Sequence, residues 1–127
     1  MDSLTTYGPS MDSRSPSSST YRINVTKSFS EDLDASVSYY LKVSGPRSAI
    51  HFLESYDSFV NLLEVLPGHG SLIEGTPLRW RKVGAFVVVY LTDDASRVVT
   101  LLRMYYVSSD WRTQARKLRS REPEQDG

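Results

Sequence analysis

No cysteine occurs in the 127 residues. That excludes a disulfide framework, thiol catalysis and every cysteine-based zinc or iron–sulfur site. Histidine is nearly as scarce. His51 and His69 form no HxxxH or HxH pair and sit in no GxSxG setting, so neither a histidine-rich metal site nor a Ser-His-Asp triad is supported. The longest apolar run, Ala85 to Leu91, has seven residues, against the ~20 needed to cross a bilayer. The first residues offer only Leu4, Tyr7 and Met11 among polar neighbours, which is not the apolar stretch of a secretory signal. A dominant charge is missing too: 15 lysines and arginines balance 15 aspartates and glutamates. Any nucleic-acid contact must therefore come from local charge. Gly68-His69-Gly70 lacks the GxxxxGK(S/T) context of a phosphate loop. The chain reads as soluble and cytoplasmic, with no membrane partner, no metal and no small-molecule cofactor.

What remains is enough for one folded unit. Hydrophobic residues make up 39% of the chain and aromatic residues 11%, sufficient for a core. Residues 1–20 stand apart, with seven serines, three threonines, Pro9 and Pro16. Their apolar surface is too small to offset backbone ordering at ~1–2 kcal/mol per residue, and a disordered Ser/Thr-rich leader is expected. Residues 120–127 read as a disordered tail. The folded domain is expected over 21–119.

Tyr21, Ile23 and Val25 alternate with polar residues, the period of a half-buried strand. Ser28 and Glu31 then have capping-box spacing, followed by Phe29, Leu33, Val37, Tyr40 and Leu41 at helical intervals. Gly45-Pro46 ends that helix and starts another. The second carries Ala49, Phe52, Leu53, Tyr56, Phe59, Val60, Leu63 and Leu66 on one stripe and stops at Pro67-Gly68. A join of only four residues, Val43 to Pro46, predicts an antiparallel hairpin. From Leu78 the period changes to two. Leu78–Lys82, Ala85–Leu91 and Arg97–Val107 read as an antiparallel meander turning at Val83-Gly84 and at Asp93 to Ser96. Phe86 to Tyr90, without a polar face, belongs in the middle. A short last helix from Asp110 would point Trp111, Ala115 and Leu118 inward. The fold class is α+β, with the helical hairpin packed on one sheet face.

The neutral total hides a division. Residues 29–66 hold six acids against Lys42 and Arg47, giving −4, whereas residues 78–119 hold nine bases against three aspartates, giving +6. Such a half should attract phosphate backbones or an acidic polypeptide. Asp93-Asp94 reads as a turn former. Of each pair Tyr39-Tyr40 and Tyr105-Tyr106, one ring should face the core and the other remain free.

The strings YRINVTKSFSEDL (21–33), PRSAIHFLESYDSFVNLLEVLPGHG (46–70), LRWRKVGAFVVVYL (78–91) and VTLLRMYYVSSDW (99–111) together resemble the RelE/ParE toxins of type II toxin–antitoxin systems. The order of the Pro-Gly helix ending, Gly84, Phe86 and Tyr90, and Leu102-Arg103 before Asp110-Trp111 is closer to the ParE branch. The resemblance implies a RelE/ParE-like fold and a growth-inhibiting toxin neutralised by a cognate antitoxin. ParE-type members poison DNA gyrase; RelE-type members cleave mRNA in the ribosomal A site.

Arg79, Arg81, Arg103, Tyr106, Trp111 and Arg112 are the residues expected to meet target or antitoxin. In the alternative, ribonuclease reading, Arg81, Arg103 and a tyrosine at 105 or 106 would carry the chemistry. That chemistry must activate a ribose hydroxyl and stabilise phosphorane charge. The resemblance places Val87 where the nuclease branch has an arginine, and Tyr106-Val107-Ser108-Ser109 where relatives often carry His-Gly-x-Arg, so that neither the histidine nor the arginine is present. The reading therefore leans away from an enzyme. A third reading is a degenerate toxin that only binds its antitoxin.

Overall fold

The computed structural model describes residues 20–119. The leader and tail expected over 1–20 and 120–127 lie outside the described residues, apart from Thr20. Five apolar residues in succession suit only a strand covered on both faces, and Phe86 to Tyr90 open strand β4 (Phe86–Asp93). On one side it pairs antiparallel with β3 (Arg79–Val83), on the other with β5 (Val98–Tyr106). Two further strands complete a mixed sheet. β1 (Arg22–Val25) runs parallel to β5, and the two-residue β2 (Ser71–Leu72) lies antiparallel to β3. The order β1-β5-β4-β3-β2 puts β4 at the centre. The three-stranded meander is thus the middle of a five-stranded sheet. The turn between β3 and β4 falls on Gly84-Ala85, one residue later than the spacing predicts, with Gly84 at φ 60°.

Helices α1 (Lys27–Ser44) and α2 (Pro46–Val65) cover one face. The predicted capping box is displaced. Thr26, not Ser28, caps α1: its side-chain oxygen accepts from the Phe29 amide at 3.0 Å while its hydroxyl donates to the Leu102 carbonyl at 3.0 Å. A threonine bonded to β5 leaves no cap role for Ser28. The join is also tighter than expected. Gly45 alone separates the helices, at φ 93°, a left-handed conformation that glycine adopts without a Cβ clash. Tyr40 stacks on Phe52 and Phe29 on Tyr56 across the pair. Leu41 and Leu66, placed on the apolar stripes by spacing, are instead 47% and 55% exposed.

The pleat divides β4 between two clusters. Phe86, Val88 and Tyr90 pack with Phe29, Phe52, Phe59 and Leu63 of the hairpin. Burying each such side chain stabilises the fold by about 1.5–3 kcal/mol. Val87 and Val89 face the opposite way, into Ile73, Leu78, Leu102, Trp111 and Ala115. The last helix, the nine-residue α3 (Trp111–Arg119), covers this second face with the residues its spacing turns inward.

Candidate functional site

Arg79 points into the chain's own loop. It lies opposite Tyr90 in the β3–β4 ladder, and both side chains reach the segment that follows α2. The Arg79 guanidinium donates to the carbonyls of Gly70 at 2.7 Å and Gly68 at 3.3 Å. The Tyr90 hydroxyl donates to Pro67 O at 2.9 Å and accepts from the Gly70 amide at 2.8 Å. Together they fold the Pro-Gly-His-Gly segment back onto the sheet.

Arg103 is held at the other margin. β1 stops at Val25, beyond which β5 continues without a strand partner on that side. Asp32 of α1 takes over: it accepts from the Arg103 guanidinium at 2.7 and 3.1 Å and from the Met104 amide at 2.9 Å. The hydrogen bond to Asp32 raises the Arg103 pKa above its ordinary value, so that charge is fixed. Its guanidinium also lies 5.6 Å from the Tyr105 ring centre.

On the α3 side, Trp111 is 4% exposed and its ring lies 5.0 Å from that of Trp80 on β3. Arg112 spreads over both indoles, at 4.4 and 5.2 Å. Trp111 thus anchors α3, while Arg112 caps the indole pair from outside. Tyr106, 41% exposed, faces the hairpin instead and meets Tyr39 hydroxyl to hydroxyl at 3.4 Å. Tyr105 is the inward member of its pair, half-buried against the α3 cluster. Tyr39 and Tyr40 are both half-buried. Arg81 is exposed and lines a groove between α2 and β3 together with Lys82 and His69.

The six expected residues therefore form no single surface. Trp111 and Arg112 share one place, Arg79 and Arg81 flank the end of α2, and Arg103 and Tyr106 lie on β5. The +6 half is not one cationic patch either. Arg103 is neutralised by Asp32, Arg79 is spent on carbonyls, and Arg97 lies over Tyr21 at the β4–β5 turn. Asp93 forms that turn as expected, accepting from the Ala95 amide at 3.0 Å. Sequence reasoning missed Asp32 and Trp80, whose roles depend on partners distant in the chain.

The arrangement provides little for acid–base chemistry. Burial pushes the Tyr105 phenol up to about 12, which keeps it protonated at neutral pH. Val87 is 1% exposed beneath α3. Among the described residues, no group of three or more histidines and carboxylates could hold a metal ion, and no helix is long and apolar enough to cross a membrane.

Residues 23–111 match the family model described as the ParE toxin of the type II toxin–antitoxin system, parDE. The chain belongs to the ParE toxin family. Two solved structures show the same fold. The chromosomal ParDE toxin–antitoxin system from P. aeruginosa is similar at 19% identity and a TM-score of 0.58, over 70% of this chain and 98% of that one. The archaeal RelE–RelB complex from Pyrococcus horikoshii OT3 is similar at 20% identity and a TM-score of 0.54, over 70% and 97%. No curated protein sequence matches. The stretch matched by the ParE family begins within β1 and ends at Trp111, so it takes in the helical hairpin, the sheet and the residue that anchors α3.

Proposed function

We propose that this ParE-family toxin inhibits growth in the bacterial cytoplasm by poisoning DNA gyrase, and that a cognate antitoxin neutralises it. The observation that carries the reading is the ParE match across residues 23–111. Both similar structures are of toxin–antitoxin systems, which supports an antitoxin partner. Binding rather than catalysis is favoured by Val87. An arginine there would have to emerge from a layer closed by Trp111, Ala115 and Leu102. Arg103, assigned to catalysis in the ribonuclease reading, is occupied by Asp32. Of the six expected residues, Arg81, Tyr106 and Arg112 keep exposed groups for target or antitoxin; Arg79, Arg103 and Trp111 hold the scaffold that presents them.

Purified toxin should abolish gyrase supercoiling and accumulate cleaved DNA, and equimolar antitoxin should restore activity. Intact supercoiling at saturating toxin would overturn the gyrase assignment. Cuts within A-site codons of translated mRNA would replace it with the ribonuclease reading.

A further inference from the structure

Of the nine cations between residues 78 and 119, the fold occupies three: Arg103 on Asp32, Arg79 on loop carbonyls and Arg97 over the Tyr21 ring. Arg81 and Lys82 are neighbours in β3 and therefore point to opposite faces of the sheet. Arg81 stands opposite Val88, on the hairpin side. Lys82 stands opposite Val87, which packs under α3, and it shares that face with Trp80. The other four cations belong to α3, which has no acid in its nine residues. Five of the nine thus fall on the α3 side.

Trp80 connects the strand cation to the helix cations. Arg112 lies over the Trp80 and Trp111 indoles at 5.2 and 4.4 Å, so its long side chain is held in place while the residue stays exposed. Arg116, also exposed, is one turn farther along the same flank of α3, about 6 Å on. Lys82 is exposed too, and lies roughly 7 Å along β3 from Trp80. Asp34, Glu54 and Asp57 belong to the hairpin, on the other side of the sheet. The acids nearest in the chain are Asp110, before α3, and Glu74, after the buried Ile73. Two acids against five cations leave this side positive.

We propose that Lys82, Arg112 and Arg116 bind the phosphate backbone of duplex DNA, without regard to sequence. Guanidinium forks match phosphate oxygens, and one already pinned on two indoles loses little freedom when it binds. Phosphate contacts position a protein on DNA but carry no sequence information. A single strand is the poorer fit, because its binding relies on rings that stack with bases. Here Trp111 is 4% exposed and Trp80 is covered by Arg112, so neither indole is offered to a base. Cations fixed on a strand and a helix suit the regular charges of a stiff duplex better than those of a flexible acidic peptide. The binding requires neither gyrase nor antitoxin.

Fluorescence anisotropy of a labelled twenty-base-pair duplex, titrated with the full-length protein, tests the proposal. The Kd should be about 10⁻⁶–10⁻⁴ M at physiological salt. Log affinity should fall with log salt at a slope of about −2.7, which is −0.9 for each of three phosphates. K82Q and R116Q should each weaken binding at least threefold and reduce the slope by about 0.9. They lie on different elements, so a local disturbance of α3 cannot produce both losses. R47Q removes an equal charge from the hairpin and should change neither quantity. Circular dichroism checks that each variant is folded, and a duplex of unrelated sequence should bind equally well. Four results overturn the proposal. They are no anisotropy change at millimolar protein in low salt, equal losses in R47Q and R116Q, tighter binding of oligothymidylate than of the duplex, and displacement of the duplex by tighter-binding hexaglutamate.

Discussion

Asp32 and Arg103, 71 residues apart in the chain, meet at 2.7 Å where the sheet loses its edge strand. The same carboxylate accepts the Met104 amide. One side chain thus satisfies both a cationic side chain and a backbone donor that a longer β1 would otherwise have paired. An unpaired strand edge is a template for unwanted association, and α1 closes this one.

Replacing Asp32 should separate its two duties. Asp32→Ala leaves the Met104 amide without an acceptor and Arg103 without a counter-charge, and should cost about 2–3 kcal/mol. Asp32→Asn keeps an oxygen for the amide and loses the charge alone, so it should cost roughly 1 kcal/mol. Urea denaturation at unchanged slope measures both. Equal costs would contradict the backbone-capping role.

Tyr90→Phe should loosen the loop after α2 while leaving the sheet intact. The substitution removes the acceptor of the Gly70 amide, a buried bond, and the donor to Pro67 O, a partly buried one. A loss of about 1–3 kcal/mol is expected, with faster hydrogen exchange at Gly70 and little change in β4. Gly70→Ala should disturb the same place by a different route. Its Cβ would lie 2.6 Å from both Trp80 O and the Tyr90 hydroxyl, and the backbone carbonyl cannot give way.

Alkali should destabilise the protein through its tyrosines. Burial raises the folded-state pKa of Tyr105 from the ordinary value of 10.0 to about 12, and burial also raises Tyr56 and Tyr90. The unfolded chain then releases these protons first. The stabilisation is complete below pH 10 and is lost as pH rises toward 12. Tyr105→Phe should remove one proton from this linkage, flattening stability against pH by at most about 1.4 kcal/mol per unit. Denaturant midpoints at pH 8, 10 and 11 measure the slope. An unchanged slope would show that Tyr105 titrates alike in both states.

The parts of the fold that were legible in the sequence are those whose signal is local. Phe86 to Tyr90 has no polar position, so its central place follows from solvation alone. The stripe from Ala49 to Leu63 repeats at helical spacing, and Gly45-Pro46 marks its start. What was not legible depends on distant partners. Thr26 outranks Ser28 as a cap because its hydroxyl also reaches Leu102 on β5. β2 has only two residues and no periodicity; Arg79 and Tyr90 fix the loop that leads into it. Counting charges by segment set Asp32 among the acids and Arg103 among the bases, whereas in space they cancel. The division into halves of −4 and +6 was therefore sound as arithmetic and misleading as a map of potential.

The ribonuclease reading is tested by placing at Val87 the arginine that the resemblance implies there. Val87 is 1% exposed, and on its face of the sheet Val89, Leu102, Trp111 and Ala115 surround it. The buried polar residues among those described are Thr26 and Ser36, neither of them a carboxylate. Val87→Arg must therefore bury an unpaired guanidinium or expel α3, and should cost about 3–5 kcal/mol. Val87→Met, which adds volume without charge, should cost less than about 1.5 kcal/mol if the cluster repacks as a volume-tolerant core does. Thermal melting compares the two, and limited proteolysis reports whether α3 has been released. If Val87→Arg instead keeps wild-type stability and gains codon-specific mRNA cleavage, then α3 is a cover that a charged residue can lift. The face beneath it would then be a ribonuclease site disabled by one side chain.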